Sequence, residues 1–306
     1  GDQTPAPREK PGSVMQNNFG YPVSPVGIND RNVTEISEKE DTLSMFFSWK
    51  PKTKQAKKEG ETLPFPLFDM HCHMLCRVDD GARDEAEMYR MIDLSYADGI
   101  RGICFTPHFQ FEFYGDNRER VARAFDAAGA YAKEKYPELS LYLGNELFYH
   151  ADALSYLMSG ACRTLNGSRY VLLDFEAGVE SRKIEVAVSR LVSHGYRPVL
   201  AHLERYPCFG TDTRKAEEFC RMGCLIQVNA SSFDGEWGRV AKKRADKLLS
   251  RGLVYAIASD SHHTDVRVPG LSACAARVAD TYGEQVARRL FYENPVRLMK
   301  NERVGG

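Results

Sequence analysis

The sequence lacks any apolar run approaching the roughly 18 residues that a transmembrane helix needs. It also lacks a strong net charge, because 41 lysines and arginines nearly balance 42 aspartates and glutamates, giving −1. Without a global electrostatic field, binding to nucleic acid or to a membrane surface would require a local basic patch. The polar start at Gly1 has no apolar core of a signal peptide, so we expect no secretion signal.

The eight cysteines do not form a recognisable redox, zinc or catalytic motif. Cys220 and Cys224 are one residue too far apart for the CxxC of a redox site or zinc knuckle. Cys208 and Arg214 have the spacing of a cysteine-phosphatase loop, but the loop is poor in glycine and its Asp212 would repel a phosphate. We therefore expect reduced cysteines in a cytoplasmic protein.

Residues 1–60 differ from the rest of the chain, since they are rich in Pro, Asn, Ser, Lys and Glu and show no sustained apolar period. This composition predicts a mostly irregular extension. Within it, residues 45–60 read as a basic linker, and the aromatic cluster and five lysines of 45–58 could contact an anionic membrane or an acidic partner. Met45 is a plausible natural start, which would make residues 1–44 an upstream extension or a cloning remnant.

Residues 61–306 alternate short apolar runs with helical periods, which predicts a single α/β domain. Helices are expected at 84–98, after the N-cap Asp84, and at 182–194, which Gly195 ends. Strands are expected near 67–72, 102–106, 140–146, 170–175, 198–202, 225–229 and 254–259. Seven strands separated by helices imply a parallel sheet, and closure into a barrel would remove its edges.

Chemically active side chains gather where most of these strands end. The segments are Asp69-Met-His71-Cys-His73 with Asp79-Asp80-Gly81, Thr106-Pro107-His108, Gly144-Asn145-Glu146, Asp174-Phe175-Glu176, Ala201-His202-Leu203-Glu204-Arg205 and Ser259-Asp260-Ser261-His262. Six of the eight histidines lie in these segments when His263 is included. In an α/β barrel such ends converge on one mouth, so we expect one functional site there.

The residue types at this mouth predict a metal centre. His71 and His73 are two apart on a strand, so both imidazoles face the same side and could grip one cation. Imidazoles with carboxylates and without cysteine suit Mn, Fe or Zn, and a carboxylate such as Glu146 could bridge two ions. Such a centre lowers the pKa of bound water to about 7 and clamps phosphoryl oxygens, which suits phosphate ester hydrolysis.

At these segments the chain resembles the polymerase-and-histidinol-phosphatase (PHP) superfamily, and within it the bacterial tyrosine-protein phosphatases of capsule and exopolysaccharide operons, the CpsB/YwqE type. The resemblance runs from about Phe68 to Asn301. Segments that carry it include Asp-Asp-Gly-Ala at 79–82, His-Leu-Glu-Arg-Tyr at 202–206 and Gln-Val-Asn-Ala-Ser at 227–231. It implies a distorted seven-stranded (β/α) barrel and two or three divalent metal ions, usually manganese or iron.

The resemblance also implies the roles of individual residues. His71, His73, Glu146 and Asp260 would hold a first metal; Glu146, His202 and Asp174 a second; Asp80, His108 and His262 a third. Arg205 and Arg267 would bind phosphate, or instead pair with Glu204 and Asp265. Asp174 stands where the family usually has Glu, whose side chain is one methylene longer. Whether Asp174 would coordinate the second metal directly is left open, and Glu176 or a water could take its place.

The implied function is hydrolysis of phosphotyrosine on an autophosphorylating, membrane-anchored bacterial tyrosine kinase that controls polysaccharide export. The protein would then be cytoplasmic, with a location at the inner face of the membrane. Three alternatives remain: a small-molecule phosphatase of the histidinol-phosphatase type, a PHP phosphodiesterase acting on nucleic acid, and a metal scaffold without turnover. The near-neutral net charge gives the nucleic-acid alternative little support.

Overall fold

The computed structural model describes residues 63–304. The extension predicted for residues 1–60, with its basic segment 45–58, lies outside these described residues. Across residues 63–304, none of the helices combines the length and the apolar character that crossing a bilayer demands.

Nine parallel strands form the β-structure of the described chain, and every predicted strand coincides with at least one of them. They are β1 (Leu67–Cys72), β2 (Ile100–Phe105), β3 (His108–Phe109), β4 (Ser140–Leu143), β5 (Glu146–Phe148), β6 (Tyr170–Asp174), β7 (Arg197–Leu200), β8 (Leu225–Asn229) and β9 (Ala256–Ala258). The count exceeds the predicted seven because β3 lies just after the run predicted at 102–106, and because the run predicted at 140–146 is interrupted. Pro107, which has no N–H to donate, separates β2 from β3, and Gly144 and Asn145 separate β4 from β5.

The strands form a curled parallel sheet in two parts. One part has the order β1-β2-β4 and the other β3-β5-β6-β7-β8-β9. An isolated parallel bridge between Cys72 and Ser261 brings the chain that follows β9 against the end of β1. Two backbone hydrogen bonds fix this approach, from His73 N to the Ser261 oxygen (2.8 Å) and from Asp260 N to the His71 oxygen (2.9 Å). The ends of the first and last strands are therefore neighbours.

The described chain has ten α-helices, of which the first seven lie between strands and the last three follow β9. They are α1 (Glu85–Ala97), α2 (Phe111–Tyr114), α3 (Arg118–Lys135), α4 (Ala153–Met158), α5 (Ser181–Ser193), α6 (Arg214–Arg221), α7 (Gly238–Ser250), α8 (Ser272–Tyr282), α9 (Glu284–Arg288) and α10 (Asn294–Met299). A π-helical turn, Arg289–Glu293, joins α9 to α10.

The two helices predicted from the sequence form for the expected reasons. Asp84 caps α1, since its side chain accepts a hydrogen bond from the N–H of Glu87 at 2.8 Å. In α5 the buried residues are Ile184, Ala187, Val188 and Leu191, at the spacing of one helical face. Burying that face against the sheet stabilises the helix more than its intrinsic propensity does.

A separate apolar cluster fills the inner face of the curled sheet. It includes Phe68 and Met70 of β1, Tyr170 and Leu172 of β6, and Val199 of β7. Gly102 of β2 makes room for it, because a Cβ there would lie 2.3 Å from the Phe68 ring. The register of β1 against β2 then shifts between Asp69 and Cys72, and beyond this shift polar side chains replace apolar ones. The apolar cluster thus forms the floor of a polar site.

Candidate metal centre

The structure brings together all nine side chains that the sequence proposed as metal ligands. They are His71, His73, Asp80, His108, Glu146, Asp174, His202, Asp260 and His262. They lie at the carboxyl ends of strands, in the turns that follow or, for His108 and Glu146, at the first residue of β3 and β5. Within four overlapping sets of three or four of these residues, the possible ligand atoms lie within 4.8 Å of one another. The same side chains make up the three ligand groups expected from the sequence. The predicted convergence of strand ends on one mouth is therefore observed.

The first group surrounds the two histidines of β1. The Nε2 atoms of His71 and His73 are 3.3 Å apart. Glu146 Oε1 lies 3.3 Å from the first and Glu146 Oε2 lies 3.2 Å from the second. Asp260 Oδ1 is 3.5 and 3.6 Å from the same two nitrogens. All four side chains are buried, so two imidazoles and two carboxylates face one small space.

The second group shares Glu146 with the first. His202 Nε2 lies 2.9 Å from Glu146 Oε1 and 3.6 Å from Asp174 Oδ1. The Tyr206 hydroxyl donates to the same Asp174 oxygen at 2.6 Å and accepts from the N–H of Phe175 at 3.2 Å. Tyr206 therefore fixes the shorter carboxylate in place.

The third group lies nearer to solvent. Asp80 Oδ1 is 3.4 Å from His108 Nε2 and 3.6 Å from His262 Nε2. The side chain of Asp80 is 54% exposed, whereas that of His262 is 3% exposed. His108 Nδ1 also lies 2.9 Å from Glu146 Oε2, so this group is joined to the other two.

Hydrogen bonds behind three histidines determine which ring nitrogen is free. Gln227 Oε1 accepts from the N–H of His202 at 2.9 Å and lies 3.0 Å from His71 Nδ1, so that nitrogen carries the proton. His73 Nδ1 lies 2.8 Å from Asp79 Oδ2, and His262 Nδ1 lies 3.0 Å from the Asp260 carbonyl oxygen. In the neutral ring each acceptor fixes the proton on Nδ1, which leaves Nε2 directed into the cluster as the ligand atom, as metal-ligating histidines require.

The imidazoles and carboxylates of the cluster shift one another's pKa values. Burial alone would lower the pKa of His71, but the carboxylates of Glu146 and Asp260 raise it to about 9. Burial opposes ionisation of Asp260 as well, yet His71 and Arg267 hold its pKa well below the usual range. Burial and the neighbouring His73 lower the pKa of His262, which is therefore neutral. Cations bound here would take over the role of the protons on the imidazoles.

The donor set fits divalent metal ions of the Mn, Fe or Zn class. Its members are imidazole nitrogens and carboxylate oxygens, and none of the four sets contains a cysteine. Among the nine proposed ligands, two buried ring nitrogens, His202 Nδ1 and His262 Nε2, have no hydrogen-bond partner within the described chain. An unpaired buried polar atom costs free energy, and for His262 Nε2 a metal ion would remove that cost.

Three residues of the site hold left-handed backbone conformations that are uncommon for residues other than glycine. The φ angles are 33° at His202, 53° at Asp260 and 53° at Arg267. Each such conformation costs about 1 kcal/mol or more and persists only where the surroundings impose it. Here the N–H of His262 donates to the carbonyl oxygen of Arg267 at 3.0 Å. Backbone strain is thus concentrated at the centre.

Arg205 and Arg267 both approach the cluster through one carboxylate oxygen. Asp260 Oδ2 lies 3.4 Å from Arg205 Nη1 and 2.5 Å from Arg267 Nη2. The Trp237 ring lies beside both guanidinium groups, with its centroid 3.9 Å from Cζ of the first and 5.3 Å from Cζ of the second. Two positive forks are therefore placed next to the polar cluster, where a phosphate dianion could be held.

The alternative pairings of these arginines are wrong. Glu204 points inward, where its Oε1 accepts from the N–H of Asn229 at 3.0 Å and from the Ser232 hydroxyl at 2.6 Å. Asp265 instead accepts two hydrogen bonds from Arg83, at 3.1 and 3.2 Å.

The sequence and the fold of this chain are both similar to those of known proteins. Residues 67–300 match the model of the family described as capsular polysaccharide synthesis, CpsB/CapC. This chain belongs to the CpsB/CapC family.

Relatives with names are consistent with this membership. The tyrosine-protein phosphatase CpsB of Streptococcus pneumoniae is 33% identical over 241 residues, which cover 77% of this chain and 99% of that protein. The tyrosine-protein phosphatase YwqE of Bacillus subtilis is 27% identical over 239 residues, covering 78% of this chain and 93% of that one. A solved structure from the work on YwqE and CpsB, described as unique metal-dependent tyrosine phosphatases, is similar with a TM-score of 0.72, at 26% identity over 78% of this chain and 96% of that chain.

The structure offers no cysteine nucleophile at the loop of Cys208 and Arg214. All eight cysteines lie in the described range and are free. Burial raises the pKa of the Cys208 thiol, which disfavours the nucleophilic thiolate. Arg214 pairs with Asp212 at 2.5 Å on the surface instead of facing that thiol.

Glu176 does not substitute for Asp174. It is exposed and pairs with Lys183 at 2.9 Å, whereas Asp174 faces the cluster. Burial and the nearby Glu146 carboxylate raise the pKa of Asp174. A positive ion between the two carboxylates would oppose this effect.

Sequence reasoning missed the residues that support the ligands. Asp79 accepts from the His73 ring and from the N–H groups of Gly81 and His108, at 2.8, 3.0 and 2.9 Å. A Cβ on Gly81 would lie only 1.8 Å from the His73 oxygen, so this turn admits no side chain there. Gln227 and Asn229 of β8 are linked at 2.9 Å, and Asn229 donates to Asp260 Oδ2 at 2.7 Å. Their alternation on a strand next to the predicted site was the available signal.

Proposed function

We propose that this protein is a metal-dependent protein-tyrosine phosphatase, a phosphoric monoester hydrolase built on a distorted seven-stranded barrel of the PHP type. The observation that carries the proposal is the convergence of nine nitrogen and oxygen ligands with two arginines at one mouth. Membership of the CpsB/CapC family and relatives named tyrosine-protein phosphatases support the choice of substrate.

Two or three divalent ions would be distributed over the overlapping groups. His71, His73, Glu146 and Asp260 would hold the first ion, Glu146, His202 and Asp174 the second, and Asp80, His108 and His262 the third. Manganese is the favoured ion, with iron or zinc as alternatives. When bound, the metals supply Lewis acidity, which lowers the pKa of water towards 7 and neutralises phosphate charge.

Exposure separates the third group from the other two. The side chain of Asp80 is 54% exposed, whereas those of Glu146 and Asp260 are about 1% exposed. A ligand carboxylate in contact with water keeps more of its hydration when free, so it gains less on binding an ion. The third ion would therefore bind most weakly.

The arginines would bind and orient the phosphate. The Arg205 and Arg267 side chains are 31% and 23% exposed, so part of each fork can meet a ligand. The Nε of Arg267 is buried and has no hydrogen-bond partner within the described chain. Asp260 holds both forks from behind, and a bidentate grip on phosphate oxygens would then fix the direction of the ester bond.

The physiological substrate would be a phosphotyrosine-bearing protein. We propose that this substrate is an autophosphorylating, membrane-anchored bacterial tyrosine kinase. The description of the family as one of capsular polysaccharide synthesis supports this assignment.

The protein would work in the cytoplasm at the inner face of the membrane, where the basic residues of 45–58 would contact the lipid surface. Loss of vesicle binding when those lysines are replaced would support that contact, and unchanged binding would remove it.

A substrate comparison tests the proposal. Phosphate release is measured from a phosphotyrosine peptide and from histidinol phosphate, and p-nitrophenol release from bis-p-nitrophenyl phosphate, with manganese-loaded protein and a metal-free control. We expect chelator-sensitive release that favours the peptide and is lost in His202→Ala. Preference for histidinol phosphate or for the diester would replace the substrate, and metal binding without any release would make the protein a scaffold.

A further inference from the structure

A ring stack leads outward from the metal centre. Helix α2 begins two residues after β3, the strand that carries His108. The ring of Tyr114 in α2 stacks on the imidazole of His108, with centroids 5.9 Å apart and planes at 5°. The ring of Phe113 lies 4.9 Å from that of Tyr114, edge on. Phe113 is therefore only two ring contacts from a proposed metal ligand.

Two aromatic residues of α2, Phe111 and Phe113, are open to solvent. Phe113 is 74% exposed and Phe111 is 44% exposed. We call Phe111, Phe113 and Tyr114 the aromatic ledge. A single exposed apolar side chain is ordinary, but two exposed rings on one short helix beside a reactive centre are typical of a binding surface.

The ledge is fixed to the site by its neighbours. The Asn117 amide, just after α2, donates to the carbonyl oxygens of Val78 and His108, at 3.1 and 3.4 Å. On the other side, the ring of Phe111 stacks on that of Tyr156 of α4, with centroids 5.7 Å apart. The rings are thus held in place before any ligand arrives, which lowers the entropic cost of binding.

We propose that the aromatic ledge binds apolar side chains that flank the phosphotyrosine of a polypeptide substrate. The proposal rests on the proposed phosphatase function and adds a preference for sequence around the phosphorylated residue. The surface is continuous with the site through Tyr114, so a chain whose phosphate is held at the metals would extend over it. An apolar flanking residue would bury ring surface on α2, whose one charged residue is Glu112.

The test uses three substrates and the full-length, manganese-loaded protein. Two phosphotyrosine peptides have equal length and charge, and carry either leucines or serines beside the phosphotyrosine. The third substrate, p-nitrophenyl phosphate, has no flanking residues. The variant Phe111→Ala/Phe113→Ala is compared with the wild type and with Val186→Ala, which truncates an exposed apolar residue of α5. Phe113→Trp is the conservative variant that keeps a ring.

We expect the wild type and Val186→Ala to favour the leucine peptide about tenfold in kcat/KM. The ledge variant should lose this preference through a higher KM, and Phe113→Trp should keep it. Hydrolysis of p-nitrophenyl phosphate should stay within about twofold in all four proteins. An unchanged leucine preference in the ledge variant would overturn the proposal, as would an equal loss of activity on all three substrates.

A failure of the phosphatase function itself would be visible separately. If the wild type hydrolysed none of the three substrates, the proposed function would fail. Fluorescence anisotropy of the two labelled peptides would then still measure the ledge. Tighter binding of the leucine peptide that Phe111→Ala/Phe113→Ala abolishes would support the ledge, and equal binding of both peptides would overturn it.

Discussion

The indole of Trp237 lies 3.9 Å from the guanidinium carbon of Arg205, measured to the ring centroid. The guanidinium carbon of Arg267 lies 5.3 Å from the same centroid. One aromatic side chain therefore sets the position of both proposed phosphate ligands. A cation over an aromatic face gains about 0.5–2 kcal/mol, depending on how far it is shielded from water.

Removing this ring should weaken substrate binding more than turnover. We expect Trp237→Ala to raise KM for a phosphotyrosine peptide about tenfold, with kcat within about threefold of the wild type. Trp237→Phe keeps an aromatic face and should lie close to the wild type. Steady-state kinetics, with inorganic phosphate as a competing ligand, measure both effects. A fall in kcat at constant KM would show that the ring has another role.

The amide of Gln227 should matter through the tautomer of His71. Gln227→Leu removes the acceptor at 3.0 Å from Nδ1, so the ring is no longer held with Nε2 free. We expect manganese affinity to fall about 10- to 100-fold, the usual cost of losing such a partner. Gln227→Glu keeps an acceptor and should lose less.

Calorimetric titration of the metal-free protein with manganese measures the manganese affinity of the wild type and of the Gln227 variants. Gln285→Leu, an exposed change on α9, is the matched control. Equal affinities for Gln227→Leu and the control would contradict the tautomer argument.

Tyr206 should be needed for manganese binding, because the side chain of Asp174 is shorter than the usual Glu and the Tyr206 hydroxyl holds it in position. The hydroxyl of Tyr206, 2.6 Å from Asp174 Oδ1, holds a buried carboxylate whose pKa burial and Glu146 already raise. Tyr206→Phe deletes that donor and keeps the ring. We expect manganese affinity to fall about tenfold and activity at limiting manganese to fall with it. If excess manganese failed to restore activity, Tyr206 would act on the substrate rather than through Asp174.

A cluster away from the centre should make stability depend on pH. Asp93 of α1 accepts hydrogen bonds from Tyr131, Tyr136 and Lys135, at 2.7, 2.8 and 2.8 Å. Burial alone would raise the pKa of Asp93, but these donors hold it below its ordinary value. The stabilisation is then complete above the unfolded-state pKa of about 3.9 and is lost as pH falls through the lower folded-state pKa.

Asp93→Asn should therefore lower the free energy of unfolding by about 1 kcal/mol at pH 7. The difference from the wild type should shrink steadily as pH falls below about 4. Urea unfolding across this pH range measures it. Asp126→Asn, an exposed change on α3, is the matched control and should have little effect at any pH. A difference that grew on acidification would contradict the sign of the pKa shift.

The ligand positions could be predicted from the sequence because two simple rules act together. Parallel strands present their carboxyl ends at one edge, and histidine or carboxylate residues at those ends must then meet. His71 and Glu146 are far apart along the chain, yet their ligand atoms lie 3.3 Å apart. The break of β2 and β4 into further strands was not predicted, since it depends on how Pro107 and Gly144 interrupt the pairing in three dimensions.

The supporting residues could not be assigned in the same way. Gln227 lies 156 positions from His71, and an amide on a buried strand carries no local signal of the ring that it will meet. The pairing of Arg205 with Asp260 rather than with Glu204 depends on Glu204 turning inward to Asn229. Such choices are set by side-chain packing, which the periodicity of the sequence does not encode.

The most direct test of the central claim is to add manganese stepwise to protein from which a chelator has removed all metal. Phosphate release from a phosphotyrosine peptide is measured at each step. We predict no activity without metal, recovery as the two buried groups fill with about two ions per chain, and a weaker third binding step that Asp80→Asn removes. Glu146→Gln should abolish recovery, because Glu146 Oε1 lies 3.3 Å from His71 Nε2 of the first group and 2.9 Å from His202 Nε2 of the second. Full activity in the chelated protein, or unchanged recovery in Glu146→Gln, would contradict the account.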